Sequence, residues 1–209
     1  MNKDDQGLRR DLEDTFVVEQ LAKVGMKVNS IYDLVNSRAS YPSAIPTLLA
    51  LLPLVSDPRI KEGIARALTV KEARPTASAP LLREFIDYRA ETKSEAHTKW
   101  AIANALSFVS DDSSFAELSS VLLDKRHGWP RSGLVPALAN MRSCREAAVQ
   151  LLLELLDDEE VAVQAMIVLG NLGVENARSA VAKFLAHPDS WVRQRAKRAL
   201  EKIDRKIQK

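Results

Sequence analysis

The sequence predicts an all-α fold, a solenoid of about six stacked antiparallel helix pairs, and three observations carry that expectation. Strand-forming chemistry is scarce: aromatic residues make up 5% of the chain, and no segment alternates at period two for long. An Ala/Val-Leu pair returns along the chain, with its leucine at Leu68, Leu106, Leu138, Leu169 and Leu200, spaced 38, 32, 31 and 31 residues apart. A period of that length is the mark of a helical array. Around each leucine, positions −8, −4, −1 and 0 are almost all apolar or small, and four units add +3 (Val109, Met141, Leu172, Ile203). These positions form one stripe at helical spacing.

The elements follow in order. GLRRDLEDTFVVEQLAKV and SIYDLVNSR, separated by residues 25–29, form a helix pair within residues 1–40 that caps the N-terminal end. Five repeats then fill residues 43–207, giving a single domain over 1–209 with no linker. Their first helices are IPTLLALLPLV, PLLREFIDY, FAELSSVLL, AAVQLLLELL and ARSAVAKFLA, and each second helix carries one register leucine. Asp57 before Pro58 reads as an N-cap with proline in the first turn, and Asp189 fits the same role. Thr92 with Glu95, and Ser114 with Glu117, have capping-box spacing. Pro130, Gly133 and Pro136 crowd the third of these second helices, which is expected to be short or kinked. Gly170 and Gly173 read as helix terminators. A lone hairpin cannot cover its own stripe, so the repeats must stack and the ends need polar caps. The acid-rich start, with Lys3, Asp4 and Asp5 in it, and the basic last helix fit those cap roles.

The unit Pro…Leu-Leu…Asp-x-x-x-Val-Arg-x-x-Ala-x-x-Ala-Leu resembles the HEAT repeat, in particular the short bacterial, PBS-lyase-type variety. Residues 179–203 match it most fully, through Asp189, Val192, Arg193, Ala196, Ala199 and Leu200. The resemblance implies a right-handed solenoid whose second helices line a concave, ligand-facing side. HEAT-like enzymes exist among DNA glycosylases and phycobilin lyases, but no motif of either can be placed on this chain residue by residue.

Composition excludes several function classes. The net charge is +2, so no global field demands a polyanion. One cysteine, Cys144, allows no internal disulfide and no multi-thiolate metal site, and suits a reducing, cytoplasmic compartment. There is no signal-peptide pattern and no window long and apolar enough to span a membrane. His97, His127 and His187 fall in different repeats without metal-ligand spacing, and no phosphate loop occurs. No catalytic residue, metal or cofactor is assigned.

What remains is binding. Second-helix positions off the stripe, at −6, −5, −2 and +1, are expected to face the concave side. From these come the candidate partner-binding residues Glu62, Arg66, Trp100, Asn104, Ser107, Val163, Gln164, Ile167, Gln194 and Arg198. The middle of this set is neutral to apolar, which suits a protein or peptide partner; Trp100 serves equally well as inter-repeat core. Trp129 and Trp191, both at −9, form a candidate second strip, with packing under the following turn as the other reading. From Trp191 to Lys209 eight Lys/Arg stand against two acids, and Arg195, Lys197, Arg198 and Lys202 are the contacts a nucleic acid would use. A soluble terminal cap explains the same surplus. The basic residues at −7 (Lys61, Lys99, Arg131, Arg193) are expected to pair with acids of neighbouring turns rather than with phosphates.

Overall fold

The computed structural model describes residues 3–207, with the side chains of residues 3–6 and 75 left aside. Lys209 from the basic surplus, and the side chains of Lys3, Asp4 and Asp5 from the acid-rich start, lie outside the described residues. Helices and turns account for the described chain, and no strand occurs among these residues. The chain divides into two compact units, one running to Val109 and the other starting at Ser110.

In the first unit, α1 (Lys3–Lys23) and α2 (Ile31–Val35) form the N-terminal pair, followed by α3 (Ile45–Leu51), α4 (Pro58–Ala67), α5 (Arg74–Asp87) and α6 (Lys93–Val109). First helices pack on first helices, α1 on α3 and α3 on α5, while second helices α2, α4 and α6 pack in succession. Short 3-10 turns, Pro42–Ala44 and Lys71–Ala73, lead into α3 and α5. The helix read as starting at Pro80 begins six residues earlier and runs through that proline; its missing N–H forgoes only the bond to the carbonyl of Thr76, an exposed residue.

In the second unit, α7 (Phe115–Leu123) follows a 3-10 turn, and its hairpin partner is not an α-helix. Trp129–Gly133 and Val135–Asn140 are 3-10 segments meeting at Leu134. Two prolines remove two amide donors in seven residues, so the expected short or kinked helix tightens into 3-10 geometry throughout. Then come α8 (Arg145–Glu154), α9 (Ala162–Leu172), α10 (Arg178–Ala182), which continues as 3-10 segment Lys183–Ala186, and α11 (Ser190–Ile207).

The register stripe is the core. Leu68, Leu106, Leu138 and Leu169 are fully buried, as are Ile64, Ile102, Leu134, Ala165 and Ala196 four residues earlier. Leu200, on the last helix, is half-buried. Asp57 caps α4 through its Oδ1, which accepts from the amides of Arg59 and Ile60 at 2.9 and 3.2 Å. Asp189 accepts from the Trp191 amide at 2.8 Å. The Thr92–Glu95 capping box is closed in both directions, at 3.2 and 2.8 Å. The Ser114–Glu117 box is not formed: Ser114 is buried in helical conformation and makes no cap bond. Its task has moved upstream to Asp111, which caps the 3-10 turn Asp112–Ser114.

Two further expectations change. Gly173 does terminate α9, at φ +66°, with the amides of Gly173 and Val174 returning to the carbonyls of Gly170 and Leu169. Gly170 is instead a packing residue inside α9: a Cβ there would lie 2.8 Å from the Cα of Ala199 on α11. Two acids of α1, Glu13 and Asp14, turn inward, while Asp11 and Glu19 are exposed. Glu13 accepts from the amides of Ser56 and Asp57, and Asp14 from that of Ile31. The outer row of α1 is apolar, with Leu8, Leu12 and Phe16 exposed.

Candidate functional site

The basic ladder at −7 has a task that the sequence reading missed. Lys61 Nζ donates to the carbonyl of Leu52 at 2.6 Å, and Lys99 Nζ to that of Tyr88 at 2.7 Å. Arg131 reaches the carbonyl of Leu122, and Arg193 those of His187 and Pro188, all at 2.7 Å. In every case the cation closes the C-terminal end of the first helix of its own hairpin, where unpaired carbonyls gather and the helix dipole is negative. The expected acids join at two rungs: Glu84 bonds Lys61, while Asp158 and Glu160 bond Arg131 at 2.9 and 2.8 Å. Lys61, Lys99 and Arg131 are buried, and thus withdrawn from any partner.

Exposure differs among the four candidate offsets. Positions −6 and −2, one helical turn apart, are nowhere fully buried: Arg66 on α4 and Gln194 and Arg198 on α11 are exposed, while Glu62 on α4, Trp100 and Asn104 on α6, and Val163 and Ile167 on α9 are half-buried. Ser132 and Pro136, at the same positions of the 3-10 segments, are half-buried too. Position +1 is mixed. Ser107 is 6% exposed and donates to the carbonyl of Asn104, and Gly170 is closed by Ala199, whereas Thr69 and Ala139 are half-buried and Glu201 is exposed. Position −5 is largely closed, since Gly63 lies under Ile31 and only Gln164 and Arg195 stay half-open. Within a unit, an inner helix such as α4 or α9 is covered on three sides, by its hairpin partner and by the second elements before and after it. A two-faced amphipathic picture counts only the first of these.

The open row differs between units. On α4 it neutralises itself, with Arg66 paired to Glu62 at 2.7 Å. On α9 and α11 it begins with Val163 and Ile167 and ends in cations. Arg198 is exposed, and Lys202, one turn on, donates to Asn171 Oδ1 at 2.6 Å. Arg195 lies over the Trp191 ring at 5.0 Å, leaving that indole 49% exposed. Trp129 is 37% exposed at the start of its 3-10 segment. Lys197 is exposed at position −3, where the four earlier second elements bury Ala65, Ala103, Val135 and Met166 completely. It therefore puts an exposed charge where the earlier second elements put a buried stacking residue.

The remaining chemistry is local. His97 bonds the carbonyl of Lys93, His127 stands 3.7 Å from Asp124, and His187 accepts from the Asp189 amide. Cys144 is half-buried at the start of α8. Among the described residues no cluster of three metal-ligating side chains occurs, and no helix is long and apolar enough to cross a membrane.

Repeated hairpins, a repeated carbonyl-closing cation and one open row per unit define an all-α tandem-repeat protein. The family profile described as HEAT repeats matches residues 146–208, and that of the PBS lyase HEAT-like repeat matches residues 130–158. Residues 130–208 are thus HEAT-type repeats, and the same register leucines and −7 cations run through α4 and α6 of the first unit. No curated protein matches the chain at a significant level.

Proposed function

We propose that this chain is a non-enzymatic interaction module, an adaptor of the cytoplasm, that takes a protein or peptide partner on the open row of its second helices. The observation that carries the reading is that row. Positions −6 and −2 are at least partly exposed on α4, α6, α9 and α11, and they include the half-buried apolar side chains Trp100, Val163 and Ile167. Its HEAT repeats suit such a role, being a preformed surface that binds with little rearrangement. A photo-crosslinker installed at position 167 should form adducts with another protein in cells, whereas the same group at position 197, on the outer flank of α11, should not. Equal yields at both positions would overturn the reading.

The second reading is nucleic-acid binding through α11, favoured by the open cations Arg198, Lys202 and Arg205. Against it, three rungs of the −7 ladder are buried and bonded internally, so cations do not recur at open positions in successive repeats. A duplex oligonucleotide at about 50 mM salt separates the two: phosphate contacts would give binding that falls steeply with salt.

A further inference from the structure

We infer that the partner segment taken by the second unit is acidic as well as apolar, with its carboxylates seated in a cationic cleft where α9 ends against α11; this rests on the proposed peptide-binding row. The contact of Gly170 with Ala199 locks α9 and α11 side by side, so their open rows run together. On α9 the row is Val163, Ile167 and then Asn171; on α11 it is Gln194, Arg198, Lys202 and then Arg205. The two rows converge on a cleft of about 340 Å³ lined by Gly170, Asn171, Lys202, Arg205 and Lys206. Three of its five lining residues are cations and none is an acid.

Those cations are held but not neutralised. Lys202 is fixed by the Asn171 amide oxygen, Lys206 by the carbonyl of Leu172, and Arg205 by that of Glu201. Among the described residues none of Arg195, Arg198, Lys202, Arg205 or Lys206 has a carboxylate within ion-pairing distance. Everywhere else that a cation lies on this row it is already paired, as Arg66 is with Glu62. Uncompensated charge beside apolar side chains steers and orients a partner of opposite sign. The apolar start of the row favours a peptide over a nucleic acid. So does Trp191, whose ring face already carries the guanidinium of Arg195 instead of being free for a base.

The test is selection of a random peptide library on the whole chain, followed by fluorescence anisotropy on the recovered peptides. Asp and Glu should be enriched beside Leu, Ile or Phe, and the double variant Arg198→Glu/Lys202→Glu should weaken those peptides about tenfold or more. Raising salt should weaken them in the same direction. Both substituted residues are exposed, so circular dichroism should be unchanged. Binders without acidic enrichment, or with affinity indifferent to the charge reversals, would overturn the inference and leave the peptide-binding row standing. If no peptide is recovered at all, the row itself fails and the inference with it. A single-stranded oligonucleotide that displaces the peptides and is lost in the double variant would assign the cleft to phosphates and also overturn the proposal.

Discussion

Arg131 is completely buried, and all three of its guanidinium nitrogens have partners. Nε donates to the carbonyl of Gly128, one terminal nitrogen to Leu122 O and Asp158, the other to Glu160. Removing it would strand a mostly buried carboxylate and an unpaired carbonyl, which costs about 3–5 kcal/mol. Arg131→Met should lose that much unfolding free energy in urea titrations. The loss should also depend on pH. Burial pushes the Asp158 carboxyl up, but the bonds from Arg131 and from the Glu160 amide, with the nearby cations, hold it below its ordinary value of 3.8. A carboxyl lowered in the fold stabilises fully above the unfolded value, and the gain is lost as pH falls through the folded one. The gap between wild type and Arg131→Met should therefore narrow as pH drops from about 5 to about 3, in paired urea titrations. A constant gap would show that the ion pair contributes nothing.

At the scale of elements, two devices recur. In four hairpins the −7 cation ties the start of the second element to the end of the first helix, closing the hairpin through one side chain; α9 has Ala162 there instead. Small residues let second helices approach, as Gly170 does against Ala199. Gly170→Ala would place a methyl 2.8 Å from a backbone atom, which no flexible side chain can yield to. It should destabilise by about 1–3 kcal/mol despite the better helix propensity of alanine. Thermal unfolding checks this, and a variant as stable as wild type would mean that α9 and α11 can separate without loss. Proline content, in contrast, was legible at once: Pro130 and Pro136 announced that the third second helix could not be regular. The sequence does not say which alternative wins, because 3-10 and kinked α geometry differ by packing against neighbours.

At the scale of the molecule, α11 departs from the second helices before it. Its exposed Lys197 and Glu201 stand where α9 has Met166 and Gly170, both buried. Restoring those interior residues, in Lys197→Met/Glu201→Gly, should recreate a stacking face. Sedimentation should then show self-association that grows with concentration, since an uncapped repeat seeks another surface. Unchanged sedimentation would mean that these two residues do not cap the end.

The sequence alone determined the period, the buried stripe at −8, −4, −1, 0 and +3, the caps at Asp57, Asp189 and Thr92–Glu95, and the second-helix rows from which any binding surface would be drawn. These are local quantities, set by helical periodicity and by which side chain can reach its own backbone. Only the tertiary structure decided how far each off-stripe position is covered, with −5 mostly closed and +1 closed at Ser107 and Gly170, that Gly170 packs rather than terminates, and that the −7 cations serve helix ends. The cations depend on how the two helices of one hairpin close, and the other two on a third neighbour, the second helix of an adjoining repeat. Its distance and rotation come from packing, and no window of one repeat contains them.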